Sequence, residues 1–268
     1  MNIAEDRHCR VVVKVTMVAG KRRSLLQHTP GIRTILLCGT VAILIVAVAI
    51  SPAGAGEGEE YDPAVIEAFY GKIIRNPMEI DGDPYRELQH EDLIEYPEET
   101  VCAIQYENDR IYYEIATFDD EAAAQDSGYI VTHKGHCGTC STLQDLATYL
   151  YHRDLTTPVR RCSALVLFPA WSMHCLEELG FSSECAETWY YNAKNTAREC
   201  LWPCLESWMH KEPFNKPDGS LNDCLACDEE CSGPIFKYVA GRTRRNSGIH
   251  SEIDRPEDEV YSIVHDYY

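Results

Sequence analysis

Basic side chains are scarce in most of this sequence. The 268-residue chain has 24 Lys and Arg residues against 43 Asp and Glu residues, which gives a net charge of −19. Seven of the basic residues lie within residues 1–50, which carry a net charge of +5, whereas residues 51–268 carry −24. A body this acidic repels a phosphate backbone, so nucleic acid is excluded as an expected partner.

Internal repeats and a clear second domain boundary are also lacking, which favours one domain with one core. The hydrophobic fraction of 45% is sufficient for such a core. No Asn-X-Ser/Thr acceptor site for N-glycosylation occurs after residue 57. The cellular compartment therefore has to be inferred from the charge and cysteine patterns.

One long uncharged run, residues 34–56, is present. About 20 apolar residues span a bilayer, and the basic residues lie only on the N-terminal side of this run. The sequence therefore predicts a basic cytoplasmic tail over 1–33, a transmembrane signal anchor over 34–56, and a body over 57–268. That body is expected in the ER or Golgi lumen or outside the cell. The alternative is a signal peptide cleaved near Ala55, which would give a secreted protein.

Eleven of the 13 cysteines follow this uncharged run. In an oxidising compartment most of them are expected to form disulfides, although the pairing cannot be read from spacing. Because eleven is odd, at least one is expected to be free, metal-bound or paired with another chain. The disulfide candidates are Cys102, Cys137, Cys140, Cys162, Cys175, Cys185, Cys200, Cys204, Cys224, Cys227 and Cys231.

The pattern of apolar residues predicts an α+β fold. Stretches rich in β-branched and aromatic residues, typical of strands, occur at 101–106, 111–117 and 129–132. They predict a small antiparallel sheet within about 101–132, followed by a mainly helical, disulfide-rich half. In that half we expect a long helix over 183–209, kinked at Pro203.

The segment His133-Lys134-Gly135-His136-Cys137-Gly138-Thr139-Cys140 concentrates metal- and redox-competent side chains where a strand ends and a helix begins. Imidazole and thiolate are ligands that copper and zinc prefer, and a metal needs three or four of them. A second cluster, Trp171-Ser172-Met173-His174-Cys175, supplies a third histidine. We therefore predict a metal site made by His133, His136 and His174, with copper and zinc as the two alternatives for the metal.

Two other interpretations of the first segment remain open. It is also compatible with a disulfide-stapled turn whose histidines only bond backbone groups. Alternatively, Cys137 and Cys140 form a redox dithiol, since a helix N-terminus lowers a thiol pKa and makes the thiolate reactive.

Two further groups of residues suggest binding sites. The pairs Cys200/Cys204 and Cys224/Cys227 have the spacing of a Cys₄ zinc site, but disulfides are favoured outside the cytosol. Arg242, Arg244 and Arg245 form a glycine-flanked loop that is predicted to hold an anionic substrate group. The alternative is that these arginines form salt bridges with the acidic body.

The two histidine clusters resemble the UstYa-like proteins, fungal single-pass membrane oxidases of peptide natural products. That family has two His-x-x-His-Cys motifs, each leading into a Leu-containing helix. Here the first is 133–137, and the second is degenerate at 171–175 because Trp171 stands where a histidine belongs. Cys140 and the cysteine-rich tail also depart from the pattern. The resemblance implies copper-dependent cyclisation, hydroxylation or halogenation.

The leading hypothesis is a membrane-anchored, copper-dependent oxidoreductase, an oxidase, oxygenase or halogenase-like enzyme acting on a small-molecule or peptide substrate. Two alternatives are kept. One is a thiol–disulfide oxidoreductase that uses Cys137 and Cys140, and the other is a non-catalytic, disulfide-rich extracellular binding module. The oligomeric state is left open.

Overall fold

The computed structural model describes residues 61–88 and 93–268. The predicted tail over 1–33, the predicted anchor over 34–56 and the possible cleavage site near Ala55 all lie outside the described residues. In the described ranges, no helix combines the length and apolarity that crossing a membrane requires.

A four-stranded mixed sheet forms the first half of the described chain. Its strands are β1 (Ile73–Ile74), β2 (Val101–Tyr106), β3 (Tyr112–Phe118) and β4 (Ile130–Lys134), in the spatial order β1-β3-β2-β4. The three longer strands pair antiparallel around β2, as predicted. The short β1 adds a parallel edge to β3, which the sequence did not indicate.

Helices dominate the second half and confirm the predicted α+β class. In the described ranges they are α1 (Pro63–Tyr70), α2 (Pro84–Glu87), α3 (Glu121–Asp126), α4 (Leu143–Tyr151), α5 (Thr156–Ser163), α6 (Pro169–Glu178), α7 (Ser183–Glu199), α8 (Leu201–His210), α9 (Asp223–Cys231) and α10 (Gly233–Ala240). Short 3-10 turns follow at Arg245–Ser247 and Glu257–Glu259.

The predicted helix over 183–209 is two helices. It breaks at Cys200, which lies between α7 and α8. Pro203 explains the break, because proline has no N–H to donate to the carbonyl of Glu199 and its ring would clash with that carbonyl. Within the first turn of α8 the same proline is tolerated, since the N–H groups of a first turn have no partner inside the helix.

The main core lies between the sheet and the helices α1, α4 and α7. Its fully buried side chains include Phe69, Leu143 and Leu146. Strand β2 is covered on both faces: Cys102 and Ile104 contact this core, while Val101 and Ala103 pack in a smaller cluster with Ala124 of α3. Covering both faces explains why β2 is apolar from Val101 to Ile104, as in strands buried on two sides.

Disulfides connect the elements and confirm the prediction that most cysteines of the body are paired. The described pairs are Cys102–Cys137, Cys140–Cys185, Cys162–Cys175, Cys200–Cys227 and Cys204–Cys224. Cys231, the eleventh cysteine of the body, is disulfide-bonded as well, so none of the eleven is a free thiol. A fold held together in this way is consistent with an extracellular or luminal location.

Candidate functional site

The segment 133–140, called the His-Cys loop below, is joined backbone to backbone to the end of α10. The N–H of Thr139 donates to the carbonyl of Val239 at 3.0 Å, and the N–H of Cys140 donates to that of Ala240 at 2.9 Å. Two segments about a hundred residues apart in sequence therefore form one junction in the interior.

Glycines at this junction let the two backbones touch. A Cβ atom on Gly138 would lie 2.4 Å from the carbonyl oxygen of Val239. A Cβ atom on Gly241 would lie 2.4 Å from the backbone nitrogen of Gly138, and Gly241 also has a φ of +68°. Only glycine fits such a close approach. Gly138 and Gly241 therefore allow the two backbones to pack closely, and the end of α10 covers the His-Cys loop.

His133, the first residue of the His-Cys loop, is fully buried. Its Nδ1 donates to the carbonyl of Lys134 at 2.8 Å, and its Nε2 accepts from the hydroxyl of Ser141 at 2.8 Å. We assign this tautomer because a carbonyl can only accept. Burial, reinforced by the charge of Arg242, lowers the pKa of His133 well below 6.5 and keeps the ring neutral. Both ring nitrogens are engaged, so no lone pair is left to bind a metal.

His136 lies half-buried at the edge of the same junction. Its Nε2 donates to the carbonyl of Tyr238 at 2.7 Å. Its ring stacks on Tyr96, with centroids 4.1 Å apart. Burial also lowers the pKa of this imidazole. His136 is therefore held as an aromatic, backbone-bonded side chain.

His174 lies apart, on the outer surface of α6, where its side chain is 70% exposed. Its neighbours are Glu177 and Glu178 on the following turn, with nitrogen–oxygen distances of 3.9 and 3.4 Å. The predicted three-histidine site is therefore wrong for the described residues, where these histidines do not form a group with metal-ligand spacing. The reason is burial: His133 is a core side chain, whereas His174 faces solvent.

Cysteines supply the group that does have metal-ligand spacing among the described residues. It consists of Cys200, Cys227 and Cys231. All three are disulfide-bonded, which removes the thiolates that zinc would need. The disulfide interpretation of these cysteines is confirmed, and neither the copper nor the zinc prediction finds a fitting donor set in the part of the chain that the structure describes.

The redox dithiol predicted for Cys137 and Cys140 is also wrong. The first cysteine pairs with Cys102 on β2, and the second pairs with Cys185 on α7. Both sulfurs are buried in separate disulfides. No thiolate is present for the dipole of α4 to activate, so the motif links the sheet and α7 to the His-Cys loop.

Arg242 is the central cation of this junction and is fully buried. It donates five hydrogen bonds, at 3.1–3.3 Å, to oxygens of the His-Cys loop, of the residues next to that loop and of Ser247. The acceptors are the carbonyls of Thr132, Cys140 and Ser141 and the hydroxyls of Thr132 and Ser247. The predicted substrate role does not hold for this arginine, because the N–H groups of its guanidinium all donate to acceptors inside the protein.

The other two arginines of the predicted substrate loop are also bound within the fold. Arg244 donates to the carbonyls of His152 and His250. Arg245 forms salt bridges with Glu229 at 3.2 Å and with Glu259 at 2.7 Å. The salt-bridge interpretation therefore applies to Arg245, whereas Arg244 connects the segments that contain His152 and His250.

Asp145 is a fully buried carboxylate that holds the first turns of two helices together. One oxygen accepts from the hydroxyl of Thr142, the N-cap of α4, at 2.6 Å. The hydroxyl of Ser182, the N-cap of α7, donates to the same oxygen at 2.9 Å, and the N–H of Ser182 donates to the other carboxylate oxygen at 2.8 Å. Burial raises its pKa to about 6 even though these hydrogen bonds act in the opposite direction.

The Asp145 carboxyl should give this fold a measurable pH dependence. Its pKa is above the unfolded value of 3.8, so the folded chain binds the extra proton and stability from this group falls as pH rises through about 6. In Asp145→Asn, the unfolding free energy relative to wild type is expected to increase by about 2 kcal/mol between pH 4 and pH 7. Urea denaturation at a series of pH values measures this difference.

The matched control is Glu178→Gln on an exposed side chain of α6. It should change the unfolding free energy little at any pH. A difference between Asp145→Asn and wild type that stays constant with pH would contradict the proposed shift.

Helix α8 carries a surface that the sequence analysis did not recognise. Its inner side, formed by Cys204 and Ser207, faces the body, where Ser207 is buried. The opposite side is formed by five exposed apolar residues, Leu201, Trp202, Leu205, Trp208 and Met209. We call these five residues the α8 apolar face.

The spacing i, i+1, i+4, i+7, i+8 of these residues is the signal that could have identified this face. Such a stripe covers about a third of the helix circumference. It is usually buried, but here Trp202 is 68% and Trp208 is 74% exposed. Periodicity shows that a helix has an apolar face and does not show which way it points.

A family of unknown function (DUF8771) matches residues 169–263. That stretch is similar to the family; it contains the helices from α6 to α10 and the arginines at 242–245, and it does not include the His-Cys loop. No curated protein and no solved structure matches the chain.

Proposed function

We propose that this protein is a non-catalytic, disulfide-stabilised binding module and that the α8 apolar face is its binding surface. One observation carries the proposal. Side chains that could perform chemistry, such as Cys137, His133 and Arg242, are bonded inside the fold, while the largest apolar side chains of α8 face solvent.

The α8 apolar face is fixed in its exposed orientation. Disulfides Cys200–Cys227 and Cys204–Cys224 connect the inner side of α8 to α9. The helix cannot turn its tryptophans inward without breaking these bonds. A monomeric soluble protein rarely exposes a contiguous apolar patch of this kind unless it binds something, and Trp and Met are enriched at such contact surfaces.

The proposed location follows from the cysteines and the charge pattern. We place the module on the luminal or extracellular side of a membrane, anchored through 34–56 with residues 1–33 in the cytoplasm. This topology is supported by the positions of the basic residues and by the disulfides of the body.

The copper-dependent oxidoreductase implied by the resemblance to UstYa-like proteins stays a prediction. The described residues do not fit its metal, because His133 has both nitrogens engaged and His174 lies apart on α6. No reaction step is derived for it. Bound copper in the purified protein is the result that would support this alternative.

Metal analysis of the purified full chain distinguishes the two functions. We expect copper far below one equivalent per chain, with no difference between wild type, His136→Ala and His174→Ala, because neither histidine belongs to a ligand group among residues 61–88 and 93–268. The protein should be made in an oxidising secretory pathway and measured by elemental mass spectrometry. Stoichiometric copper that is lost in both variants would overturn the binding-module proposal in favour of the oxidoreductase.

A further inference from the structure

We propose that the α8 apolar face binds the interfacial region of a zwitterionic lipid bilayer, with α8 lying parallel to the membrane plane. This inference rests on the proposed binding function and names the surface that is bound. It is carried by the side chains of the helix, by the short segment between the predicted membrane run and the described body, and by the charge of that body.

The side-chain chemistry of the α8 apolar face suits a membrane interface. Tryptophan concentrates at that depth because its ring is apolar and its indole N–H can still reach water or a headgroup. Trp202 and Trp208 are the two largest exposed side chains of α8, and Leu201, Leu205 and Met209 lie on the same stripe. Helices of this type lie in the interface with one face immersed. A ten-residue helix offers about 15 Å of contact along such a plane.

The sequence before the described body favours a bilayer over a soluble partner. The uncharged run predicted to cross the membrane ends at Gly56, and the described structure begins at Tyr61. Five residues extend at most about 17 Å. A body tethered this closely meets the bilayer surface at a high effective concentration, so even weak contact through one helix is sufficient for binding.

Charge selects the type of lipid. Residues 51–268 carry −24, which opposes contact with anionic headgroups. No charged residue belongs to the α8 apolar face, and Glu206 and Lys211 beside it have opposite signs. Binding is therefore driven by apolar contact with neutral lipid and should be insensitive to salt.

Tryptophan fluorescence of the full chain in phosphatidylcholine vesicles with brominated acyl chains tests this proposal, because bromine quenches only indoles that reach the acyl chains. We expect quenching in wild type and a loss of at least about twofold in both Trp202→Phe/Trp208→Phe and Leu205→Glu/Met209→Glu. All four positions are exposed, so these variants should fold. A control, Tyr151→Glu at the exposed end of α4, should be quenched like wild type.

Three outcomes would overturn the inference. They are quenching that is equal in wild type and Leu205→Glu/Met209→Glu, quenching that requires phosphatidylserine and disappears in salt, and a concentration-dependent blue shift without vesicles. The last would assign the face to a second copy of the chain. All three leave the metal analysis unaffected, so failure of the lipid inference can be told from failure of the binding-module proposal.

Discussion

Replacing Arg242 with methionine is expected to lower the unfolding free energy by about 3–5 kcal/mol, the largest effect of any single substitution proposed for this protein. The guanidinium is fully buried and donates to the carbonyls of Thr132, Cys140 and Ser141. Methionine has a similar length but no donors, so these buried oxygens would lose their partners. Chemical denaturation of the full chain in detergent micelles measures the change.

Arg245→Met is the matched control, three residues away. Arg245 is partly exposed, and its salt bridges reach Glu229 and Glu259 at the surface. Exposed ion pairs contribute at most about 1 kcal/mol. If Arg242→Met costs no more than this control, Arg242 is not structural and the prediction of a substrate-binding arginine would have to be reconsidered.

Removing the disulfide between Cys140 and Cys185 is expected to cost about 4 kcal/mol. Its two cysteines are 45 residues apart, and in the chain-entropy account the cost grows with the length of the closed loop. Both sulfurs are fully buried beside the N-terminus of α7. We expect Cys140→Ser/Cys185→Ser to unfold at a clearly lower denaturant concentration than wild type, measured by the same titration.

Cys162→Ser/Cys175→Ser serves as the comparison, because its cysteines are only 13 residues apart. The same account gives about 3 kcal/mol for it. A redox function for Cys140 predicts another pattern, in which its loss leaves stability unchanged. Equal stability of Cys140→Ser/Cys185→Ser and wild type would therefore contradict a structural role.

Local signals in the sequence predicted much of the fold. The β-branched residues of 101–106 and 111–117 specify the β2–β3 hairpin, and the strand before the His-Cys loop is β4. Thr142 and Ser182 cap α4 and α7, as short polar side chains before an apolar stripe commonly do. These features depend on neighbours within a few residues, which is why the sequence reveals them.

Pairings between distant segments could not be predicted. The local sequence of a loop with two histidines and two cysteines does not distinguish a metal-binding loop from a buried one. Its burial is decided by Ala240 and Arg242, about a hundred residues further on. No local rule connects these positions, so the sequence alone predicts His133 as a metal ligand and Arg242 as a substrate-binding residue.

The orientation of α8 was missed for a related reason. Its spacing reveals an apolar stripe, but the side that faces the body is set by Cys200–Cys227 and Cys204–Cys224. Disulfide partners cannot be deduced from spacing alone. The exposed position of Trp208 therefore follows from the fold and not from the sequence pattern.

Peptide mapping without reduction tests most directly whether the His-Cys loop is structural. In the alkylated full chain, trypsin cuts after Lys134 and Arg153 and so produces peptide 135–153, which contains both Cys137 and Cys140. We expect this peptide in one covalent assembly with 87–110, through Cys102, and with 162–194, through Cys185. Recovery of 135–153 alone, with an internal disulfide or with two alkylated thiols, would contradict a structural role for the His-Cys loop.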